Sequence, residues 1–226
     1  MWRDQKSFNF LNNILSHIGW TLRDPSLALD LIPHNIGRGS IFREFRKFLL
    51  QNMDFPSQLP PAARRKITFS THSSRGFERD LSFENQSAAI QRALEATSGS
   101  SNIVVQSITM RDLSLEDQIQ VALESSIYIT VCGGGAITAT FLPPGSSLII
   151  FFAEDGGFDF WNYNYTFNLP QYEYKTQPAR LDWDLLGNAA HLKVHWLPLK
   201  TMECGADLKI LEQLVLHDLK GMGLIY

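Results

Sequence analysis

The feature that most constrains the fold is a regular alternation of short apolar segments and helical patterns between residues 66 and 152. Each apolar segment is rich in β-branched and aromatic residues and is bounded by turn residues, which is typical of strands. The predicted strands are 66–71, 102–108, 127–131 and 147–152. Strands that alternate with helices in this order predict an α/β fold with a doubly wound, mostly parallel, Rossmann-like sheet.

The helices between these strands carry recognisable end signals. A helix predicted over 84–97 ends at a Ser-Gly-Ser-Ser segment, and the next helix begins after Ser114. Asp117 follows that serine by three residues, in a position like that of a capping box. Beyond the fourth strand, the pattern predicts a strand over 192–197 and a terminal helix over about 206–220.

A proline-rich segment, residues 56–61, is the best linker in the chain and predicts a domain boundary after residue 60. Residues 61–226 are then expected to form the sheet domain, and residues 1–60 a short, incomplete N-terminal part. That part is too short for a second Rossmann domain, which needs about 100 residues. Within it, residues 42–50 predict an amphipathic helix with its phenylalanines on one face and its charges on the other.

Composition excludes several classes of protein. Lys and Arg number 20 against 23 Asp and Glu, a net charge of −3, so the overall charge is not that of a polybasic nucleic-acid binder. Two cysteines exclude a disulfide framework and a Cys-rich zinc module, and whether Cys132 and Cys204 are bridged stays open. We expect neither a signal peptide nor a transmembrane segment in this chain, because its longest apolar run, 148–153, is too short to span a membrane.

The segment with the most chemical content is a strand that runs directly into three glycines, Gly133, Gly134 and Gly135. In an open α/β sheet such a loop lies at the carboxyl end of a strand, where ligands bind. Glycine lets the backbone approach a ligand closely, and the N–H groups at a helix start favour phosphate. The loop is neither the dinucleotide-binding fingerprint nor a Walker A motif. The alternative is a tight strand-to-helix turn with no ligand.

From these glycines the sequence continues through Phe141-Leu142-Pro143-Pro144-Gly145 into the next strand. This layout resembles glycosyltransferase family 61, which has a strand, a His-Gly-Ala-Gly-Leu-Thr-Asn loop, a Phe-x-Pro-Pro-Gly turn and another strand. Residues 113–118 look like the Leu-Ser-x-x-Glu-Gln helix start of that family, and Ser74-Arg75 looks like its arginine-bearing loop. The resemblance covers residues 65–152 well.

The resemblance implies the C-terminal, donor-binding half of a GT-B fold. It implies transfer of a sugar of the xylose, arabinose or N-acetylglucosamine class from a nucleotide-sugar, in the first place a UDP-sugar, to a glycan or protein acceptor. It also implies that no metal or other cofactor is needed and that the protein acts in the Golgi or secretory-pathway lumen. The glycosylation sequons at Asn85 and Asn164 permit that location.

The resemblance assigns roles to particular residues. Gly133, Gly134, Gly135 and Thr138 are expected to bind the donor diphosphate, which Arg75 pairs with through its guanidinium. The catalytic base of a GT-B enzyme commonly comes from the N-terminal domain, where His34 is the candidate and Asp24 and Asp30 are alternatives. Trp161 lies in the aromatic stretch 158–165, which either borders the sugar pocket or forms a core helix.

Two departures from the family pattern support an alternative function. Cys132 stands where the family has its motif histidine, and Ile150 stands where the family often has an acid. The alternative is therefore a catalytically inactive nucleotide-sugar or glycan-binding module of the same fold.

Three further alternatives each rest on a single motif. A thiol-dependent hydrolase rests on Cys132 alone. A metal site rests on Asp182-Trp183-Asp184, whose carboxylates also suit a helix start. A zinc site rests on His191 and His195, four residues apart on a predicted strand.

Overall fold

A computed structural model describes residues 39–56, 59, 64–71, 83–97, 102–131, 133–152, 186, 189–198 and 208–225. Within them, parallel strands form one sheet with helices on both faces, so the predicted α/β, Rossmann-like architecture is confirmed. The strands are β1 (Lys66–Thr71), β2 (Val104–Thr109), β3 (Ser125–Val131), β4 (Ser147–Phe152) and β5 (Lys193–Pro198). Their order across the sheet is β2-β1-β3-β4-β5, and each neighbouring pair is parallel.

The described helices follow the order that the sequence pattern predicts: one precedes β1, three lie between strands and one follows β5. They are α1 (Gly39–Asn52), α2 (Phe83–Glu95), α3 (Leu115–Glu124), the short α4 (Gly134–Thr138) and α5 (Leu208–Gly221). The hydroxyl of Ser114 accepts a hydrogen bond from the amide of Asp117 at 3.1 Å. This bond satisfies one of the N–H groups that a helix start leaves unpaired, and it confirms the predicted cap of α3.

Strands β3 and β4 have buried residues on both faces because helices cover both sides of the sheet. Every residue of β3 is buried. On one face, Tyr128, Leu148 and Ile150 pack with residues of α1, α3 and α4. On the other face, the alternate residues of β3 and β4 pack with α2 and α5. Side chains that alternate along a strand therefore pack into two separate cores, one on each face of the sheet.

The buried face of α1 differs from the predicted one. Phe42, Arg46 and Leu50 are buried, whereas Phe48 is 56% exposed. The guanidinium of Arg46 donates a hydrogen bond to the carbonyl oxygen of Phe141 at 2.8 Å. A buried polar group is tolerated when it has a partner, so the predicted separation of phenylalanines from charges is wrong at Arg46 and Phe48.

Helix α1 packs against the sheet domain although it precedes the predicted boundary at residue 60. Phe42 belongs to the same core as Tyr128 of β3, and Leu50 packs with Ile119 and Leu123 of α3. The boundary itself stays a prediction, and residues 1–38 lie outside the described part of the chain.

A fully buried carboxylate joins α5 to β5 at the amino-terminal edge of the sheet. Asp218 has no exposed side-chain surface. Its two oxygens lie 3.0 Å from Nζ of Lys193 and 2.8 Å from Nε2 of His195. Burial by itself raises the pKa of Asp218, but the hydrogen bonds, led by that from His195, outweigh it and lower the pKa from 3.8 to about 2.

This lowered pKa predicts a specific loss of stability in acid. A carboxyl whose pKa is lower in the folded state stabilises the fold above its unfolded pKa, and the contribution disappears as the pH falls through the folded pKa. We expect Asp218 to contribute about 2 kcal/mol at pH 5 and to lose it between pH 4 and pH 2. Urea unfolding at several pH values measures this slope, which Asp218→Asn should flatten. An unchanged slope in that variant would contradict the assignment.

Candidate functional site

The crevice at the carboxyl ends of β1 and β3 is the place where the direction of strand order reverses. From β1 the chain moves outward to β2, and it then returns across the sheet to β3 on the other side of β1. In open α/β sheets, ligands bind at such a switch point. The three glycines follow β3 in the sequence, and Arg75 follows β1 in a segment outside the described residues. The sheet order therefore brings the glycine loop to the edge where a ligand is expected.

Gly133 is required by its backbone conformation. Its φ is 128° and its ψ is −156°, a region that is essentially restricted to glycine. This conformation turns the chain sharply from β3 into α4, and the carbonyl of Gly133 then accepts a hydrogen bond from the amide of Ala136 at 2.9 Å.

Gly135 is required by close packing. A Cβ atom at this position would lie 2.9 Å from Oγ1 of Thr130 and 3.0 Å from Oγ of Ser70. These hydroxyls belong to β3 and β1, so the missing side chain lets α4 lie directly on the two strands at the switch point. The tight approach fixes the height of the loop above the sheet.

Neither backbone conformation nor close packing explains the glycine at position 134. Its φ is not positive, and a Cβ atom there would meet no described atom within 4 Å. Gly134 is also exposed and is the first residue of α4. Among the described residues, neither conformation nor packing therefore requires a glycine at this position. The absence of a side chain leaves the backbone open to close approach by a ligand.

A layer of hydroxyl groups lies beneath the loop. The hydroxyl of Tyr128 donates to the carbonyl oxygen of Gly135 at 3.2 Å. Burial raises the pKa of Tyr128 well above its usual range, and a hydrogen bond with Ser70 opposes that shift only in part. The phenol therefore stays protonated and acts as a donor. Thr130 completes the layer through its contact with Gly135.

Thr138, expected to bind the diphosphate, lies at the last residue of α4 and is 7% exposed. Its hydroxyl donates to Oε1 of Gln118 on α3 at 3.3 Å. The structure brings the three glycines together at the switch point and directs Thr138 toward the neighbouring helix. Its diphosphate role stays a prediction.

Four of the residues with predicted roles lie outside the described part of the chain. They are His34, Arg75, Cys132 and Trp161. The Asp182-Trp183-Asp184 motif also lies outside it. The roles assigned to these residues stay predictions.

The Phe-x-Pro-Pro-Gly turn has a structural role at the amino-terminal ends of the strands, opposite the glycine loop. Its carbonyls at Phe141 and Pro144 accept hydrogen bonds from the guanidinium groups of Arg46 and Arg64. The amide of Gly145 donates to the carbonyl of His191 at 2.8 Å. The turn leads into the amino end of β4, so these contacts hold the sheet together away from the glycine loop.

The two histidines of the zinc alternative have separate environments. His191 precedes β5 and stacks on Phe42, with ring centroids 6.3 Å apart. Burial, and then the charge of Arg46, lower the pKa of His191 to about 4, so its ring is neutral at pH 7. His195 lies on β5 and pairs with Asp218. No group of three His, Cys, Asp or Glu side chains in the described ranges is arranged to hold a metal ion.

The sequence interpretation missed Ser70, Tyr128 and Thr130. A signal was present, because polar residues alternate with isoleucine and valine along 126–131, a strand in which every residue is buried. Polar residues that recur every second position share one face of a strand. Such a polar row inside a parallel sheet indicates that something other than a helix side chain contacts it, here the loop backbone.

Comparisons with known proteins do not assign this chain to a family. A scan against models of known protein families gives no match, and a search of curated proteins gives no significant match. The relation to glycosyltransferase family 61 therefore rests on the residues quoted above and stays a prediction. Among the helices that the structure describes, none combines the length and the apolar character needed to cross a bilayer.

Proposed function

We propose that this chain is the donor-binding part of a glycosyltransferase of GT-B type. It would transfer a sugar of the xylose, arabinose or N-acetylglucosamine class from a nucleotide-sugar to a glycan or protein acceptor in the secretory-pathway lumen. The observation that carries the proposal is the position of the glycine loop, which follows β3 at the carboxyl ends of the strands where the strand order reverses. The resemblance of residues 65–152 to glycosyltransferase family 61 supports the reaction class.

The chemistry needs positive partial charge near the leaving diphosphate, because negative charge develops there as the sugar departs. The amides of Gly134 and Gly135 lie at the start of α4, where N–H groups have no partner within the helix. Arg75 follows β1 in the sequence, and β1 is adjacent to β3, so the segment that contains Arg75 begins at the same end of the sheet. In this proposal the amides and the guanidinium hold the diphosphate without a metal ion, and His34 acts as the base.

The first test is a thermal-shift screen of the full chain with UDP, GDP, CDP and several UDP-sugars, with and without magnesium. A ligand at about 100 times its Kd adds roughly 2.7 kcal/mol of stability, which is an easily measured shift. We expect one nucleoside diphosphate to stabilise the protein in the absence of magnesium. If no nucleotide raises the Tm, the proposal is wrong.

The second test separates binding from folding. Gly134→Val should change the unfolding free energy by at most about 1 kcal/mol, since the position is exposed and a Cβ atom there meets no described atom within 4 Å. It should nevertheless weaken nucleotide binding at least roughly tenfold, about 1.4 kcal/mol, because a branched side chain, unlike the alanine of the family motif, occupies the space of the ligand. Calorimetric titration and urea unfolding measure the two quantities.

The matched control is Gly221→Val at the last residue of α5, where a Cβ atom meets, among the described residues, only Nζ of Lys193 at 3.6 Å. This variant should bind nucleotide like the wild type. Equal binding by Gly134→Val and Gly221→Val would remove the proposed contact.

One observation favours the inactive binding module as a second candidate. Ile150, where the family often has an acid, is fully buried on β4 in the core that contains Tyr128 and Leu148. A carboxylate at this position is therefore not part of the chemistry here. Nucleotide binding without hydrolysis or transfer from any UDP-sugar would favour the module over the enzyme.

A further inference from the structure

A histidine lies at the interface between helix α1 and the sheet domain. The ring of His191, in the turn before β5, stacks on the ring of Phe42, with centroids 6.3 Å apart and planes inclined by 27°. Phe42, Arg46 and Leu50 recur every fourth residue and form the buried face of α1. Phe42 packs into the core of the sheet domain, so the imidazole lies directly under the face that attaches α1.

The two ring nitrogens of His191 are enclosed in this interface. Neither makes a well-formed hydrogen bond within the part of the chain that the structure describes. The carbonyl oxygens of Thr140 and Leu142 raise the pKa of the ring, but burial outweighs them. A charged imidazole carries two N–H donors instead of one. Protonation would therefore enclose a charge and a further donor away from water, which is costly.

The charges that α1 presents to His191 are both positive. Arg46 and then Arg43 lower the pKa of the ring by their charge. Arg43 has an acidic neighbour, Glu44, at 3.6 Å, but both side chains are largely exposed, so this pair is screened by water. A proton on the imidazole would place a third positive charge beside the two arginines.

The other elements at this interface supply no compensating carboxylate among the described residues. In the turn after α4, the charged neighbour is Arg64, which donates to the carbonyl oxygen of Pro144. On β5, Lys193 lies two residues after His191 and binds Asp218. The carboxylate of Asp218 is thus engaged within β5 and α5. A protonated His191 would meet cations and backbone carbonyls only.

Helix α1 lies outside the hydrogen-bonded sheet. The five strands pair with one another without it, and α1 is attached through the side chains of one face. Its detachment would break no strand pair, whereas it would open one side of the His191 ring to water and move two arginines away. Elements attached in this way open at a lower free energy than the whole domain.

We propose that the packing of α1 on His191 is an acid-sensitive attachment, which is released when the imidazole takes up a proton from solvent. Release uncovers the core that Phe42 shares with Tyr128 and separates α1 from the sheet. The proposal is independent of the proposed function, because it uses neither the glycine loop nor a nucleotide.

The expected size of the effect follows from the two states of the ring. The pKa of His191 is about 4 with α1 attached and returns toward 6.5 when the ring meets water. A basic group whose pKa is lowered in the closed state opposes closure below its free pKa, so the attachment weakens as the pH falls from 6.5 to 4. The equilibrium constant for detachment should rise by up to about 30-fold between pH 7.5 and pH 5.

Amide hydrogen exchange of the full chain at pH 7.5 and pH 5, corrected for the intrinsic rates, tests the proposal. We expect the protection of residues 39–52 to fall roughly 30-fold at pH 5. At both pH values it should remain well below the protection of β3, which reports the opening of the whole domain. Equal protection of α1 and β3 at pH 5 would show that α1 leaves only when the domain unfolds, and would overturn the proposal.

Two neutral variants identify the titrating group. His191→Phe keeps a ring against Phe42 and cannot be protonated, and His191→Gln is a second neutral replacement that does not depend on stacking. In either variant the protection of residues 39–52 should become nearly independent of pH. The matched control is His217→Phe at an exposed position of α5, which should keep the full decrease. A decrease that persists in both His191 variants would assign the effect to another group and overturn the proposal.

Discussion

Removal of both bases around Asp218, in the double variant Lys193→Met and His195→Leu, is expected to lower the unfolding free energy by about 3–5 kcal/mol. The reason is that the fully buried Asp218 would lose its ion pair with Lys193 and its hydrogen bond with His195, and would keep only its hydrogen bond with Ser147. A buried charge without a partner costs far more than the pair contributes, because the desolvation of the carboxylate is no longer offset. Urea unfolding at pH 7 gives the change from the midpoint and the slope.

The triple variant, which adds Asp218→Leu, is the informative control. Because the triple variant removes the buried carboxylate itself, no buried charge is left without its partners, and we expect it to recover most of the lost free energy. A triple variant less stable than the double variant would show that the three side chains stabilise α5 through packing rather than through charge. The two variants together measure what the isolated carboxylate costs.

Gly135→Ala is expected to destabilise the protein by about 1–3 kcal/mol, the usual cost of overpacking a tight contact. The added Cβ would lie 2.9 Å from Thr130 Oγ1 and 3.0 Å from Ser70 Oγ. Neither hydroxyl is free to rotate at no cost, since Ser70 hydrogen-bonds to Tyr128 and Thr130 donates to the carbonyl of Val131. Urea unfolding measures the loss.

A second substitution tests the cause of that loss. Ser70→Ala removes one of the two opposing oxygens, so the combination of Gly135→Ala with Ser70→Ala should cost less than the sum of the single changes. Double-mutant cycles detect such coupling when it exceeds about 0.5 kcal/mol. Strict additivity would mean that the new methyl group is accommodated by movement of α4 instead.

Local elements of this fold follow closely from the sequence. The bounds of β1 and β4 match the predicted ranges, and the other strands begin and end within two residues of them. The cap at Ser114 is equally local, because it joins residues three apart. These features depend on periodicity, side-chain volume and capping, which act over a few residues.

The candidate site was only partly predictable from the sequence. That a strand leads into a glycine-rich loop is visible in the sequence, and so is the expectation that the loop lies at the ligand-binding edge of the sheet. Which glycine serves which purpose is not visible there. Gly135 needs to be small because of Ser70, which lies 65 residues earlier in the chain. Only the pairing of β1 with β3 brings the two together.

By itself, the sequence determined the fold class, the order of strands and helices along the chain and the position of the glycine loop at the end of β3. The tertiary structure decided which loops share a crevice, that Arg46 is buried while Phe48 is exposed, and that Asp218 meets two bases of β5. The physical reason is the range of the forces involved. Helix and strand periodicity is set by neighbouring residues, whereas sheet order and the partners of buried polar groups depend on segments that meet only after the whole chain has packed.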